Sequence, residues 1–384
     1  MFKKILVYVL AVFSVLVNLL CVPFATFTAS GQMLLIQNNE PNFFERIIDL
    51  MQPFFDCFGG KKENKPAETP LEPKEVYVSG CPIGFGITGK GVVVVEISKV
   101  ETYEGVENPT EKSDVKIGDV LFSIAGTEIK YGEQIGDIIN AEQNKGKELE
   151  IVVKRDGKEI VSTIKPAIDA LTGSYKLGLW VRDNAVGVGT MTFITENGDY
   201  GALGHPIADI DTGTIMPVGE GFVYKCSIVG VNKGTRGIPG ELKGLFMRTE
   251  NSVGNITKNC ENGVYGTIKK EGVEYYKTKK VLVENNPQIG KVQILCTVDG
   301  SLPDYYDAEI IKTNVSNGTT SKNMVIRITD SRLLAKTGGI VQGMSGSPVL
   351  QDGKFVGTIT HVFINDPTKG FASYAETMLN RSKL

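Results

Sequence analysis

From Val76 to the C-terminus the chain is written in short β-branched runs bounded by glycine or charge, and this pattern constrains the fold more than any other feature. Val92–Ile97, Val120–Ile124 and Leu149–Val153 come first. After about residue 175 little else intervenes: Ala185–Ile194, Phe222–Val231, Val281–Val283, Val292–Val298, Met324–Ile328, Val349–Leu350 and Phe355–Val362 all suit strands. Glycine supplies the turns, at 44 of 384 residues against a usual level of roughly 7%. Glu133–Gln143 is an exception, with Ile135, Ile138 and Ile139 at helical spacing. No alternation of strand and helix appears, which disfavours a doubly wound sheet and predicts a mainly β protein, barrel or sandwich. No internal repeat is visible.

Hydrophobic residues make up 41% and charged residues 22%, enough for a sizeable core and too apolar for wholesale disorder. The length suits two or three domains. Forty-one basic against 44 acidic side chains leave a net charge of −3, which argues against nucleic acid as a partner. The only two histidines are His205 and His361, so a zinc site built from several imidazoles is not expected, and no metal or other cofactor is called for. The cysteines are Cys21, Cys57, Cys81, Cys226, Cys260 and Cys296, with no C-x-x-C pair and no disulfide framework indicated.

Residues 1–30 predict an export segment. Lys3 and Lys4 precede a charge-free run, Ile5–Thr28, long enough to span a bilayer at about 1.5 Å per residue. The basic flank stays in the cytoplasm and puts the rest of the chain outside it, as a membrane anchor or a cleaved signal peptide. Residues 31–75 form an intermediate region. Within it, 41–58 places Phe43, Phe44, Ile47, Ile48, Met51, Phe54, Phe55 and Phe58 on one helical face, to lie on a membrane, dock on a partner or pack on the next domain. Residues 59–74 read as an exposed linker.

Residues 84–89, Gly-Phe-Gly-Ile-Thr-Gly, match a dinucleotide fingerprint by letter, but a strand follows where that motif needs a helix. A loop leading into a strand suits capture of a chain terminus instead, with Ile83, Gly84, Phe85, Gly86 and Ile87 offering backbone N–H groups and a strand edge. The order of loop, strands and helix over Pro82–Val161, with Ile-Gly-Asp-Val-Leu at 117–121, resembles a PDZ domain of the kind attached to bacterial proteases. The competing reading is a β-rich domain without a ligand. The expected bounds are 76–170 for this domain and 171–384 for the next.

The strongest chemical signal is Gly343-Met344-Ser345-Gly346-Ser347-Pro348. A serine between glycines can expose its Oγ on a tight turn while its own N–H and that of Gly343 converge on one point, as an oxyanion requires. The base, if an imidazole, is His205, on a Gly-rich turn, or His361, in the strand after the serine. Asp330 stands 15 residues before Ser345, and the order His205, Asp330, Ser345 is that of chymotrypsin-like proteases. Asp209 and Asp211 compete with Asp330 to orient His205. A carboxylate there would raise the imidazole pKa and put the loss of activity near about pH 6–7.

Ala-Leu-Gly-His at 202–205, Ile-Thr-Asp at 328–330, the glycine-rich stretch 338–348 and Thr-His-Val-Phe-Ile-Asn-Asp-Pro at 360–367 resemble the sporulation stage IV protein B peptidase family. That resemblance implies a membrane-tethered PDZ serine endopeptidase on a chymotrypsin-like double barrel, with His205 as base, Asp330 as its orienter and Ser345 as nucleophile. It implies an enzyme made in the forespore that acts between the two sporulation membranes. Such an enzyme cleaves itself near its N-terminus, then a membrane-associated regulator, which triggers maturation of a late sigma factor. The alternative is a non-catalytic PDZ scaffold with an inactive protease-like domain.

Overall fold

In the computed structural model, residues 25–27, 33–35, 74–246, 252–315 and 321–382 are described. The chain divides into two compact units, Met1–Pro70 and Leu71–Leu384. In the first, Ala25–Phe27 pairs antiparallel with Met33–Leu35. Of the apolar run Ile5–Thr28 only this strand is described, so its end is extended and not helical. The rest of that run, the amphipathic pattern at 41–58 and the linker up to residue 73 lie outside the described residues. Among the described residues no helix is long and apolar enough to cross a membrane.

The second unit opens with β1 (Glu75–Val78) and a 16-residue strand, β2 (Pro82–Ile97). Then come β3 (Val120–Ile124), α1 (Glu133–Asn140), β4 (Leu149–Arg155) and β5 (Lys158–Ile164). A second 16-residue strand, β6 (Leu179–Ile194), leads to β7 (Asp199–Ala202), β8 (Glu220–Lys225) and β9 (Gly263–Thr267). All nine strands belong to one sheet, whose main path runs β5-β4-β3-β2-β6-β7-β9, with β8 also on β2 and β1 also on β6.

Its spine is the antiparallel pairing of β2 with β6, from Leu179 opposite Ile97 to Thr190 opposite Pro82. Strand alternation explains why the run Val92–Val94 is apolar throughout. Val92 and Val94 enter one core with Ile124, Ile135, Ile139 and Ile151, while Val93 enters another with Phe85, Met191 and Tyr200. A strand buried on both faces can carry no polar side. The division expected near residue 170 therefore does not separate two sheets: β6, placed in the peptidase part, pairs along β2, placed in the PDZ part.

Six further strands are β10 (Gly290–Cys296), β11 (Asp304–Lys312), β12 (Met324–Ile328), β13 (Pro348–Gln351), β14 (Lys354–Val362) and β15 (Lys369–Tyr374). They close a barrel in the order β10-β11-β12-β15-β14-β13, sealed by Ile294 opposite Val349. Val292, Ile294, Ala308, Ile310, Ile326, Val349 and Ile359 fill it, small and branched side chains from alternate positions of their strands. Two helices flank the barrel strands in sequence, α2 (Ser331–Thr337) after β12 and α3 (Ala375–Ser382) after β15. The double barrel implied by the family resemblance appears as one closed barrel and one open, extended sheet.

Barrel and sheet meet where the loop before β13 lies against β6. Gly346 has φ +100°, and a Cβ there would stand 2.1 Å from the Thr190 carbonyl oxygen and 2.7 Å from the Leu203 nitrogen. Gly353, at φ +76°, has open space around the same position. Gly346→Ala should therefore cost at least about 3 kcal/mol, from left-handed strain plus forced separation of barrel and sheet, while Gly353→Ala costs only about 1 kcal/mol of strain. Urea denaturation midpoints of the two variants check this; equal losses would mean that the contact at Gly346 carries no energy.

Candidate active site

The serine loop is held from both sides. Thr190, near the end of β6, donates its N–H to the Ser345 carbonyl at 3.0 Å and its hydroxyl to the Gly343 carbonyl at 2.8 Å. On the barrel side, the Gly346 N–H donates to the Ile359 carbonyl at 2.8 Å and the Ile359 N–H to the Ser347 carbonyl at 3.0 Å. Those bonds use the carbonyls of Gly343 and Ser345 and leave their N–H groups without a partner among the described residues. Two unpaired, neighbouring N–H donors are what an oxyanion site needs. Gly343 and Ser345, the residues expected to carry such donors, hold these two free N–H groups.

Ser345 is half-buried, and its hydroxyl donates to the Thr360 carbonyl at 2.8 Å. That carbonyl is available because β14 bulges at Thr360: pairing with β15 shifts register between Ile359 and His361. The Thr360 hydroxyl bonds to the carbonyls of Ser321 and Phe371, fixing the bulge. Ser347 is fully buried, with its hydroxyl on the Met344 carbonyl at 2.6 Å, so it is closed to a substrate.

His205 follows a turn in which Leu203 has φ +67° and Gly204 φ +69°. A leucine in the left-handed region is strained by roughly 1–2 kcal/mol. Burial against Gly189 and a hydrogen bond from its N–H to the Thr190 carbonyl at 3.2 Å hold it there. Thr190 thus binds the serine loop and the histidine turn at once. Gly204 packs so closely on Thr358 and Thr360 that a Cβ would lie 2.7 and 2.9 Å from their methyl groups. The turn consequently delivers His205 onto His361, their ring centroids 5.1 Å apart and the planes tilted by 41°. Both histidines are half-buried.

Among the described residues no carboxylate meets this pair. Asp330 caps α2, accepting from the N–H groups of Arg332 and Leu333 and from that of Asp307. The Arg332 guanidinium, 2.9 Å away, together with these N–H groups holds its carboxyl down at about 2. Asp209 and Asp211 both pair with Arg182. The group at His205 Nδ1 is instead the Pro206 carbonyl, 2.8 Å away. A carbonyl only accepts, so Nδ1 carries the proton and Nε2 the lone pair, the tautomer a base requires. Burial lowers the His205 pKa below its ordinary value, opposite to the rise expected from a carboxylate. His361 falls to about 4, by burial first and then by the charges of His205 and Lys322. Its Nδ1 is buried and unpartnered.

The peptide-binding expectation at Ile83–Ile87 is corrected. These residues form no loop: they lie inside β2, paired with β6 on one side and β8 on the other. Ile83, Phe85 and Ile87 are buried and both backbone edges are used, so no strand can be added. The cavity of this region, about 320 Å³, opens next to it, between Thr88–Lys90, Ile129–Tyr131 and Gly219–Glu220.

Residues 173–379, which carry Thr190, both histidines, Asp330 and the serine loop, match the family described as SpoIVB peptidase S55. The chain belongs to that family. It is therefore a serine peptidase by kind, and the match covers β7, the serine loop and all of the barrel. No curated protein matches the chain. Two solved structures are similar in part. The PDZ domain of an SdrC-like protein from Listeria monocytogenes is 23% identical over 25% of this chain and 90% of its own, with a TM-score of 0.19. The Rv3671c protease in its inactive form is 13% identical over 51% of this chain and 85% of its own, with a TM-score of 0.30.

Sequence reasoning misses Thr190, Leu203 and Thr360 as site residues, since a threonine in a strand and a leucine before glycine carry no local signal. The geometry yields a pH prediction. Both imidazoles are neutral in the folded state and have pKa values below the unfolded 6.5, so unfolding takes up protons between those values. Stability should hold above pH 6.5 and decline as pH falls through about 6 to 4. The activity midpoint should lie below 6.5, and Asp330→Asn should leave that midpoint in place while lowering the melting temperature only slightly, through the lost ion pair with Arg332, because Asn still accepts at the cap. Denaturation midpoints and a pH–rate profile check both; a midpoint that moves down in Asp330→Asn would return the carboxylate to His205.

Proposed function

We propose that the chain is an endopeptidase in which Ser345 is the nucleophile, His205 the base, and the Gly343 and Ser345 N–H groups the oxyanion donors. The observation that carries this reading is the pair of free N–H groups beside the serine, on a loop hydrogen-bonded by Thr190 to the turn of a correctly tautomeric histidine. In the reaction the Ser345 hydroxyl leaves Thr360, turns toward Nε2 of His205, and attacks the scissile carbonyl as the imidazole takes its proton. The two N–H groups stabilise the resulting oxyanion, each worth about 3 kcal/mol. Imidazolium then protonates the leaving amine, and water repeats the steps on the acyl-enzyme. Asp330, the family-derived orienter, would have to leave Arg332 and the α2 cap to serve His205; in its present place it supports the barrel.

The physiological reading is also a proposal, supported by the family. The enzyme acts outside the cytoplasm, anchored or exported through Ile5–Thr28, in the space between the sporulation membranes. It cleaves itself in the N-terminal region and then a membrane-associated regulator, triggering maturation of a late sigma factor. A chain terminus or extended peptide enters at the cavity by Thr88–Lys90 rather than at Ile83–Ile87.

Ser345→Ala should lower turnover by about 10⁶ and leave the melting temperature unchanged, whereas Ser347→Ala should lower stability. In cells the Ser345→Ala protein should stay at full length while the unaltered chain yields a shorter soluble form. Peptide hydrolysis by the purified Ser345→Ala protein would move the nucleophile elsewhere, release of that protein at the same rate would assign the cleavage to another protease, and no hydrolysis by the unaltered chain would favour the scaffold alternative.

A further inference from the structure

We propose that His205 and His361 together form a zinc-type divalent-cation site, whose occupation switches the peptidase off. The inference rests on His205 being the base, because the cation would take the lone pair that the base needs. The geometry is the starting point. Two imidazoles bound to one tetrahedral zinc through nitrogens at about 2.0–2.1 Å place their ring centroids about 5.2 Å apart. The observed separation is 5.1 Å, with planes tilted by 41° and not stacked face to face.

Each ring has a nitrogen open to a ligand. His361 Nδ1 is a buried polar atom with no hydrogen-bond partner, an arrangement that costs about 1–3 kcal/mol unless something fills it. Pro206 holds His205 Nδ1 and leaves Nε2 as its only lone pair. The Pro206 carbonyl also supplies the outer hydrogen bond that metal-bound imidazoles ordinarily make, which fixes ring orientation and raises ligand basicity. Imidazole ligands suit zinc, copper and nickel over calcium or magnesium.

Among the described residues no three His, Cys, Asp or Glu side chains assemble as a metal site. Two imidazoles would therefore share the cation with solvent. Such an open site binds reversibly and inhibits without contributing to the fold, unlike a closed four-ligand structural site. This gives the cleft a means of restraint that depends on free cation in the compartment and leaves the serine loop untouched.

Because the chain has two histidines in all, the test needs no histidine substitution. Zinc-loaded, untagged full-length protein should show, by X-ray absorption fine structure, two imidazole nitrogens on each zinc. Calorimetric titration with zinc chloride should give one site per chain with Kd below about 0.1 mM, unchanged in Ser345→Ala. Saturating zinc should lower peptide hydrolysis at least tenfold, and a chelator should restore it. One imidazole or none, or two imidazoles with full activity, overturns the proposal. A chain that binds zinc through both rings but hydrolyses nothing in its absence would refute the base assignment, and the inhibition with it, while Ser345→Ala binding separates that failure from a misplaced cation site.

Discussion

Everything in the cleft hangs on three hydrogen bonds made by Thr190. Its N–H and hydroxyl hold the carbonyls of Ser345 and Gly343, and its carbonyl receives the Leu203 N–H. A side chain at 346 would break this approach, so the glycine serves the joint between barrel and sheet as well as the nucleophile's turn. Thr190 sits on β6, which is locked along its length to β2. The accuracy of the site is thus inherited in good part from a long antiparallel pairing, to which the serine loop adds its bonds to β14 and those of Gln342 with Gly240 and Leu242. Sites carried on regular elements hold their geometry better than sites carried on loops.

The same pairing explains why a loop expected to bind peptide does not. Once β6 and β8 flank β2, the Gly-Phe-Gly-Ile stretch becomes the middle of a sheet, and its glycines admit close neighbours: a Cβ at Gly84 would lie 2.2 Å from the Phe246 ring. Its β-branched and aromatic partners are buried for the same reason. The adjoining cavity opens where β2 leaves β8, and side chains of both signs, Lys90, Glu128, Lys130 and Glu220, surround Ile129 there.

Much of the strand pattern was legible from residues alone, because β-branched runs between glycines have few other uses. Val120–Ile124 and Met324–Ile328 match their strands end to end, and the helix expected from Ile135, Ile138 and Ile139 spans Glu133–Asn140. Pairing was not legible. Nothing in Ala185–Ile194 says that it extends back to Leu179 or that its partner lies a hundred residues upstream, since register is a tertiary property. Ser345, Gly343 and His205 stand out as candidates because reactive groups on glycine turns are chemically unusual. The Pro206 carbonyl at His205 Nδ1 does not, because a backbone carbonyl looks the same in every residue. Asp330 met every sequence criterion, yet an aspartate just before a helix is equally well explained as its cap, and here Arg332 completes that role.

A carbonyl and a carboxylate on Nδ1 differ in what they do to the base. Both fix the tautomer and both favour imidazolium, but a neutral carbonyl does so less than a carboxylate would, and at His205 burial outweighs it. With a carbonyl, burial and a second imidazole around it, His205 stays neutral into mildly acidic conditions, available as an acceptor but weak as a base. Brønsted behaviour then trades rate for availability. His361 sharpens the trade, since a charge on either ring opposes a charge on the other. A substrate that places negative charge or carbonyl oxygens beside the pair would relieve this opposition, and strand β14, bulged at Thr360 and running into His361, lies where an extended substrate backbone could supply such oxygens. Turnover would then depend on how fully the substrate fills the cleft, and a short or poorly fitting peptide would leave the imidazolium opposed and be cut slowly.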